Sequence, residues 1–206
     1  MTPEGEEIEK KSFRIIMERL SLPYPERDIA VRVVHATADY SFADLLVFRN
    51  DPIREGIAAI REGRDIITDV NMVKAGISRR IQDYGGRVRC FVSDEDTVRY
   101  AAERGITRAR ACMRLHAGEL NGSIVVVGNS PTALLELAEL IRQGTRPALV
   151  VAAPVGFVKA RESKEEVLGL HVPCIAVRGD RGGTPAAVAI TNALIRLAGE
   201  NDGSQM

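Results

Sequence analysis

The sequence predicts an α/β protein of three layers, α/β/α, with a mainly parallel central sheet. Three observations carry that expectation. Short, continuous apolar runs such as Ile124-Val-Val-Val127 alternate along the chain with amphipathic stretches. The runs show no polar alternation, which suits strands buried on both faces under covering helices. The 206 residues, 45% hydrophobic and 27% charged, are enough to build a full core without staples, and one domain spanning 1–206 is expected.

Each element has its own signal. Residues 3–20 read as a helix: Thr2 can cap it, Pro3 suits its first turn, and Ile8, Ile15, Ile16 and Leu20 recur at helical spacing. Leu22-Pro-Tyr-Pro-Glu26 stops it. The run Asp28 to Val34 fits strand or helix; its periodicity does not decide. Asp51-Pro52 opens a helix to about Glu62 as N-cap and first helical residue. Asp65 to Val70 is a short apolar strand, followed by a helical stretch over 71–82. Arg87 to Val92 reads as a strand, and Ser93 as the cap of an acid-rich helix start at 94–96. Thr107 to Ala117 is helical. Ser123–Val127, Ala148–Ala152 and Cys174–Val177 are strands, separated by helices at 131–143 and 163–168. Ser163-Lys-Glu-Glu166 fits a capping box. Thr184-Pro185 opens the last helix, to about Leu197, and the polar end 199–206 is expected to fray.

Charge narrows the partners. Lys and Arg number 28 and so do Asp and Glu, which argues against a nucleic-acid coat or a polybasic membrane binder. No apolar run reaches a membrane span, and the acidic N-terminus is no signal peptide, so a cytoplasmic address is expected. Cys90, Cys112 and Cys174 form no CxxC pattern, so neither a disulfide framework nor a metal site is expected. Of the 28 cations 23 are Arg. Its planar fork matches carboxylate and phosphate, so a few of these are expected to face a polyanionic ligand, the rest being surface ion pairs.

In a parallel sheet, ligands sit beyond the carboxyl ends of the strands. Three strand exits there are rich in Gly and Pro: Gly128-Asn-Ser-Pro-Thr132, Ala153-Pro-Val-Gly-Phe157, and 178–184. The first and third run into helix starts, whose free N–H groups attract anions. No GxGxxG follows the first strand and no GxxxxGK[ST] occurs anywhere, so nucleotide cofactors have no support. His35 ends an apolar run and opens a small-residue turn, and histidine is the side chain suited to proton transfer near neutrality. His116 and His171 read as structural or exposed. Arg108 stands at a helix start, where the dipole disfavours a cation unless an anion joins it.

Several segments, in this order, resemble the precorrin-8X methylmutase family. They are Glu9-Lys-Lys-Ser-Phe-Arg-Ile-Ile16, Arg32-Val-Val-His-Ala-Thr37, Thr68-Asp-Val-Asn-Met-Val73 with Ala75-Gly-Ile77, and Thr107-Arg108. Gly128-Asn-Ser-Pro-Thr-Ala-Leu134, Pro154-Val-Gly-Phe-Val158, Glu162-Ser-Lys164 and Arg181-Gly-Gly183 complete the set. The resemblance implies a homodimeric isomerase of cobalamin (vitamin B12) biosynthesis, with its tetrapyrrole held near the subunit interface. It implies moving a methyl group from carbon 11 to carbon 12 of the corrin ring, giving hydrogenobyrinate or cobyrinate. His35 is then the catalytic proton donor. Ser12, Arg32, Met72, Ser78, Arg79, Thr107, Arg108, Asn129, Thr132, Gly156 and Lys164 are the expected substrate contacts. No cofactor is implied; cobalt, where present, arrives inside the substrate. A non-catalytic corrinoid carrier on the same fold is the alternative.

Overall fold

The middle of the sheet is dry on both sides, and this fixes the architecture. The computed structural model describes residues 2–200. Six strands lie in the order β1-β6-β5-β4-β2-β3: β1 Leu46–Arg49, β2 Ile66–Thr68, β3 Val88–Arg89, β4 Ile124–Val127, β5 Leu149–Ala152 and β6 Cys174–Val177. All pairings are parallel except β1 against β6 at the edge. Every residue of β2, β4, β5 and β6 is buried.

Alternate side chains feed two cores. Ile124, Val126, Leu149, Val151, Ile175 and Val177 pack under one helical layer. That layer holds α2 (Glu26–Thr37), α4 (Pro52–Arg61), α5 (Asn71–Gly76) and α10 (Thr184–Ala198). Val125, Val127, Val150, Ala152, Cys174 and Ala176 pack under the other, formed by α7 (Arg108–Leu115), α8 (Pro131–Arg142) and α9 (Ala160–Leu168). Outside these lie α1 (Pro3–Met17), against α2, and α6 (Glu95–Arg104), against α7. The three-layer α/β/α arrangement agrees with the sequence.

The undecided run 28–34 is helix. It reads as continuously apolar because α2 is covered on two sides: Ile29 and Val33 enter the main core, while Ala30, Val31 and Val34 meet Ile16 of α1. Other expectations need correction. The edge strand β1, preceded by the short α3 (Ser41–Leu45), was not foreseen. It is only half-buried, so its pattern is weak. The strand expected over 87–92 shrinks to two residues, and the helical stretch 71–82 divides into α5 and a 3₁₀ turn, Arg79–Tyr84. Asp94, not Ser93, is the N-cap residue of α6. Thr184 is the first helical residue of α10, with Gly183 at the cap position.

Ser163 is not a cap. The helix begins at Ala160, and the buried Ser163 hydroxyl donates back to the Ala160 carbonyl at 2.9 Å. Thr2 does cap α1, its Oγ1 accepting from Gly5 N–H at 3.2 Å, but α1 ends at Met17. Of the polar end, residues 201–206 lie outside the described residues. Glu200 is held, its carboxylate on Arg196 and its carbonyl accepting from Arg61.

Candidate active site

The strand order reverses between β2 and β4, so their carboxyl ends frame the crevice where open α/β sheets bind ligands. Here that crevice is already filled. Asp69, directly after β2 and fully buried, accepts from Gly128 N–H at 3.0 Å, Asn129 N–H at 2.9 Å and Ser130 N–H at 2.7 Å. Burial pushes its carboxyl above the usual range, and the three N–H donors pull the other way. Gly128 is required at this contact, since a Cβ there would lie 2.7 Å from Val73. The free N–H groups expected at the first loop are therefore spent on a carboxylate of the chain itself. An acidic residue directly after a buried strand is the available signal; the sequence reading places Asp69 inside the strand Asp65–Val70, whereas β2 ends at Thr68.

Around this turn the structure gathers hydroxyls. Thr107 Oγ1 and Thr132 Oγ1 lie 2.6 Å apart, and Ser130 Oγ lies 2.9 Å from Thr132 Oγ1. Thr107 also caps α7 through Arg110 N–H. Two helix starts thus meet, with Asn129 beside them. Arg108 is exposed and has no hydrogen bond or ion pair among the described residues. Behind it, the fully buried Glu136 of α8 receives Arg110 and Arg114, tying α7 to α8. Met72, 71% exposed, stands at the same edge on α5.

A second group sits on the other layer. Ser12 Oγ is 2.8 Å from His35 Nδ1, and Phe13 meets the imidazole edge-on at 5.1 Å. His35 lies near the exposed end of α2. Its Nε2 has no hydrogen-bond partner among the described residues. Arg32, one turn earlier, is half-buried over the Phe13 ring and 3.9 Å from Glu9. Burial, then the nearby Arg196, lowers its guanidinium from the usual value. A cleft of about 490 Å³ continues from Arg32 to Ser78 and Arg80. The Ser78 N–H donates to Asn192 Oδ1, and Ser78 Oγ accepts from Arg80 N–H. Arg79 begins the 3₁₀ turn and is exposed.

The third group joins two loops. Lys164, an expected substrate contact, is turned inward instead. Its side chain is wholly enclosed, and its ammonium donates to Pro154 O at 2.9 Å and Arg181 O at 2.7 Å. At the third strand exit one N–H is taken up, Gly183 N–H donating to Ala153 O at 2.7 Å, and at the second Gly156 N–H donates to Asp180 O at 3.0 Å. Beyond Gly156 the loop turns outward, leaving Phe157 98% and Val158 75% exposed. Arg181 reaches Asp39 and Ser41 and lies over Phe42, pinning this edge to the turn just after His35.

The Ser12–His35 group and the Thr107–Thr132 group stand on opposite layers. No hydrogen bond or ion pair joins them among the described residues. His116 is structural: it stacks on Phe91 at 3.8 Å, and burial lowers its pKa. His171 is exposed. A separate cleft of about 530 Å³ beside Tyr24, Phe48 and Pro52 lies at the amino edge of the parallel strands and holds none of the candidate residues. No group of three or more His, Cys, Asp or Glu side chains suited to a metal occurs among the described residues.

Comparison with known proteins decides the family. The family model described as precorrin-8X methylmutase matches residues 7–197. The chain belongs to the precorrin-8X methylmutase family. It is 46% identical to the cobalt-precorrin-8 methylmutase of Methanocaldococcus jannaschii, over 93% of this chain and 89% of that one. Identity to the cobalt-precorrin-8 methylmutase of Priestia megaterium is 43%, over 96% and 90%. The solved precorrin-8X methylmutase of Thermus thermophilus superposes with a TM-score of 0.86 at 38% identity, covering 94% of this chain and 96% of that one.

Proposed function

We propose that this methylmutase-family enzyme of cobalamin biosynthesis shifts a methyl group from carbon 11 to carbon 12 of precorrin-8X or cobalt-precorrin-8, with His35 as the proton donor. The observation that carries the role of His35 is the hydrogen bond between Ser12 Oγ and His35 Nδ1. With the Ser12 oxygen accepting from Nδ1–H, the outward Nε2–H of the imidazolium is left to donate to the macrocycle. The bond from the methyl carbon to carbon 11 breaks as the bond to carbon 12 forms. The proton lent by Nε2 polarises the ring and returns to the imidazole, so atoms and charge balance. The shift has no leaving group and calls on no cofactor; cobalt is cargo of the substrate.

The substrate is a large flat ring edged with carboxylates, and such a ligand needs apolar walls with polar donors at the rim. Met72, Gly156 and the exposed Val155, Phe157 and Val158 offer the walls. Arg108, Thr107, Thr132, Asn129, Ser78 and Arg79 offer the rim donors, with Arg32 holding Phe13 behind His35. Because the two groups stand on opposite layers of an open edge, we infer that a second copy of the chain completes the site. Sedimentation of the purified protein tests this, a monomer at micromolar concentration being the contrary result. No helix among the described residues is long and apolar enough to cross a membrane, and a cytoplasmic site of action is proposed.

The test is a visible-absorption time course with precorrin-8X and, separately, cobalt-precorrin-8, since migration changes the conjugation. Catalytic conversion is expected, and His35→Ala should bind the product yet turn over at least ~10²-fold more slowly. Stoichiometric binding without turnover would mark a carrier instead.

A further inference from the structure

We infer that Lys164 is a positioning residue: it locks the loops after β5 and β6 into one platform that presents the apolar tip 155–158 to the tetrapyrrole and ties it to the His35 end of α2. The inference rests on the proposed methylmutase reading. Its structural basis is separate.

A lysine with a fully buried side chain is uncommon, because the ammonium loses its hydration. Here the loss is met by two carbonyls, one from each loop: Pro154 O at 2.9 Å and Arg181 O at 2.7 Å. Burial pulls the group down to about 8, and no carboxylate touches it. The charge is thus committed to backbone, and specifically to backbone of the two segments that flank the exposed tip. Elsewhere these loops are as close as backbone permits. A Cβ on Gly182, at φ +153°, would lie 2.4 Å from Ala153 O, so the chains touch there.

From this junction, contacts run in two directions. Toward β5 they reach Gly156, whose N–H holds Asp180 O, and then Phe157. Toward β6 they reach Arg181, whose guanidinium holds Asp39 and Ser41. Asp39 lies four residues after His35. A shift at the Lys164 junction therefore moves the apolar wall relative to the proton donor, and such misplacement lowers both binding and turnover.

Lys164→Met keeps the buried volume and deletes the donors. It should stay folded, weaken binding of the product hydrogenobyrinate by at least ~10-fold, and speed amide exchange at Gly156 and Gly183. Lys164→Ala should behave likewise and recover several-fold on adding propylamine, whose ammonium restores the donors; propanol should not restore it. Should either core variant fail to fold, Arg181→Ala, at an exposed side chain, should show about a 3- to 10-fold part of the same loss. Product affinity within twofold of the parent in Arg181→Ala, or in folded Lys164→Met, overturns the inference, as does an amine-insensitive Lys164→Ala. Turnover of the unmodified protein in parallel reports on the methylmutase reading by itself, because the affinity measurements use product.

Discussion

Replacing Glu136 should loosen the helix that carries Thr107 and Arg108. Its carboxylate is fully enclosed on α8, while Arg110 and Arg114, its partners on α7, remain 48% and 39% exposed. Removal of one member of a buried ion pair costs about 3–5 kcal/mol when the other is stranded. In Glu136→Ala the arginines can turn to water, so that penalty does not apply in full. What is lost is two charge-assisted hydrogen bonds, at about 1.5–3 kcal/mol each, against several kcal/mol regained by no longer burying the carboxylate. With a small cavity added, the net cost is about 2–3 kcal/mol. In a chain this size that lowers Tm by roughly 5–10 °C. Glu136→Gln should lose about half as much. Glu136→Leu should lose least, since an apolar isostere also fills the space. Urea denaturation and calorimetry of the three variants give the order directly. An unchanged Tm in Glu136→Ala, or a leucine variant less stable than the alanine one, refutes the reasoning. So would product binding that is untouched while α7 is demonstrably loosened.

Three further outcomes are expected. Ser12→Ala should cut kcat about fivefold with KM unchanged, the worth of one ordinary hydrogen bond holding the imidazole; equal kcat in steady-state kinetics removes that role. Arg108→Ala should weaken product binding about 10- to 100-fold, since a charged hydrogen bond is worth about 1.5–3 kcal/mol; an unchanged Kd by fluorescence titration rejects the contact. For Lys164 the folded pKa, about 8, lies below the ordinary 10.5. The unfolded chain then binds the proton more tightly between these values, and stability from this group rises with pH across that window. Asp180, Arg161 and Glu165 are its charged neighbours. Relative to Lys164→Met, the parent should gain about 2 kcal/mol between pH 7.5 and 9.5 in urea denaturation; a flat difference contradicts the burial argument.

The layers were legible because β4, β5 and β6 are buried on both faces and so carry unbroken apolar runs. Weak elements were those whose burial is partial or doubled: β1, half-wet at the edge, and α2, covered on two sides. His35 was legible as a residue, but its partner was not. Ser12 lies 23 positions earlier, and only the α1–α2 packing brings them together. Lys164 shows how a polar residue misleads. Ala160, Ser163, Lys164 and Val167 are the buried face of α9, at the spacing of an amphipathic helix. Two of the four are polar, so the stripe carries no apolar signature: the serine fits a cap, and the lysine fits a substrate contact.

The glycine loops were expected to receive anions through unpaired N–H groups. That logic holds for the N–H groups and fails for the ligand. At the first loop Asp69 supplies the anion, and at the third the Ala153 carbonyl takes the Gly183 N–H. A phosphate at the crevice would have to displace a buried carboxylate that already satisfies three donors, and it would meet that charge at close range. The fold's usual nucleotide position is thereby closed. At the rim, Arg108 is the cation with no partner in its own group, available to an acidic substituent of a substrate. The same internal bonds that remove the loops as receptors make them rigid. An edge so fixed can hold a flat macrocycle in one orientation, which a methyl shift between adjacent carbons requires.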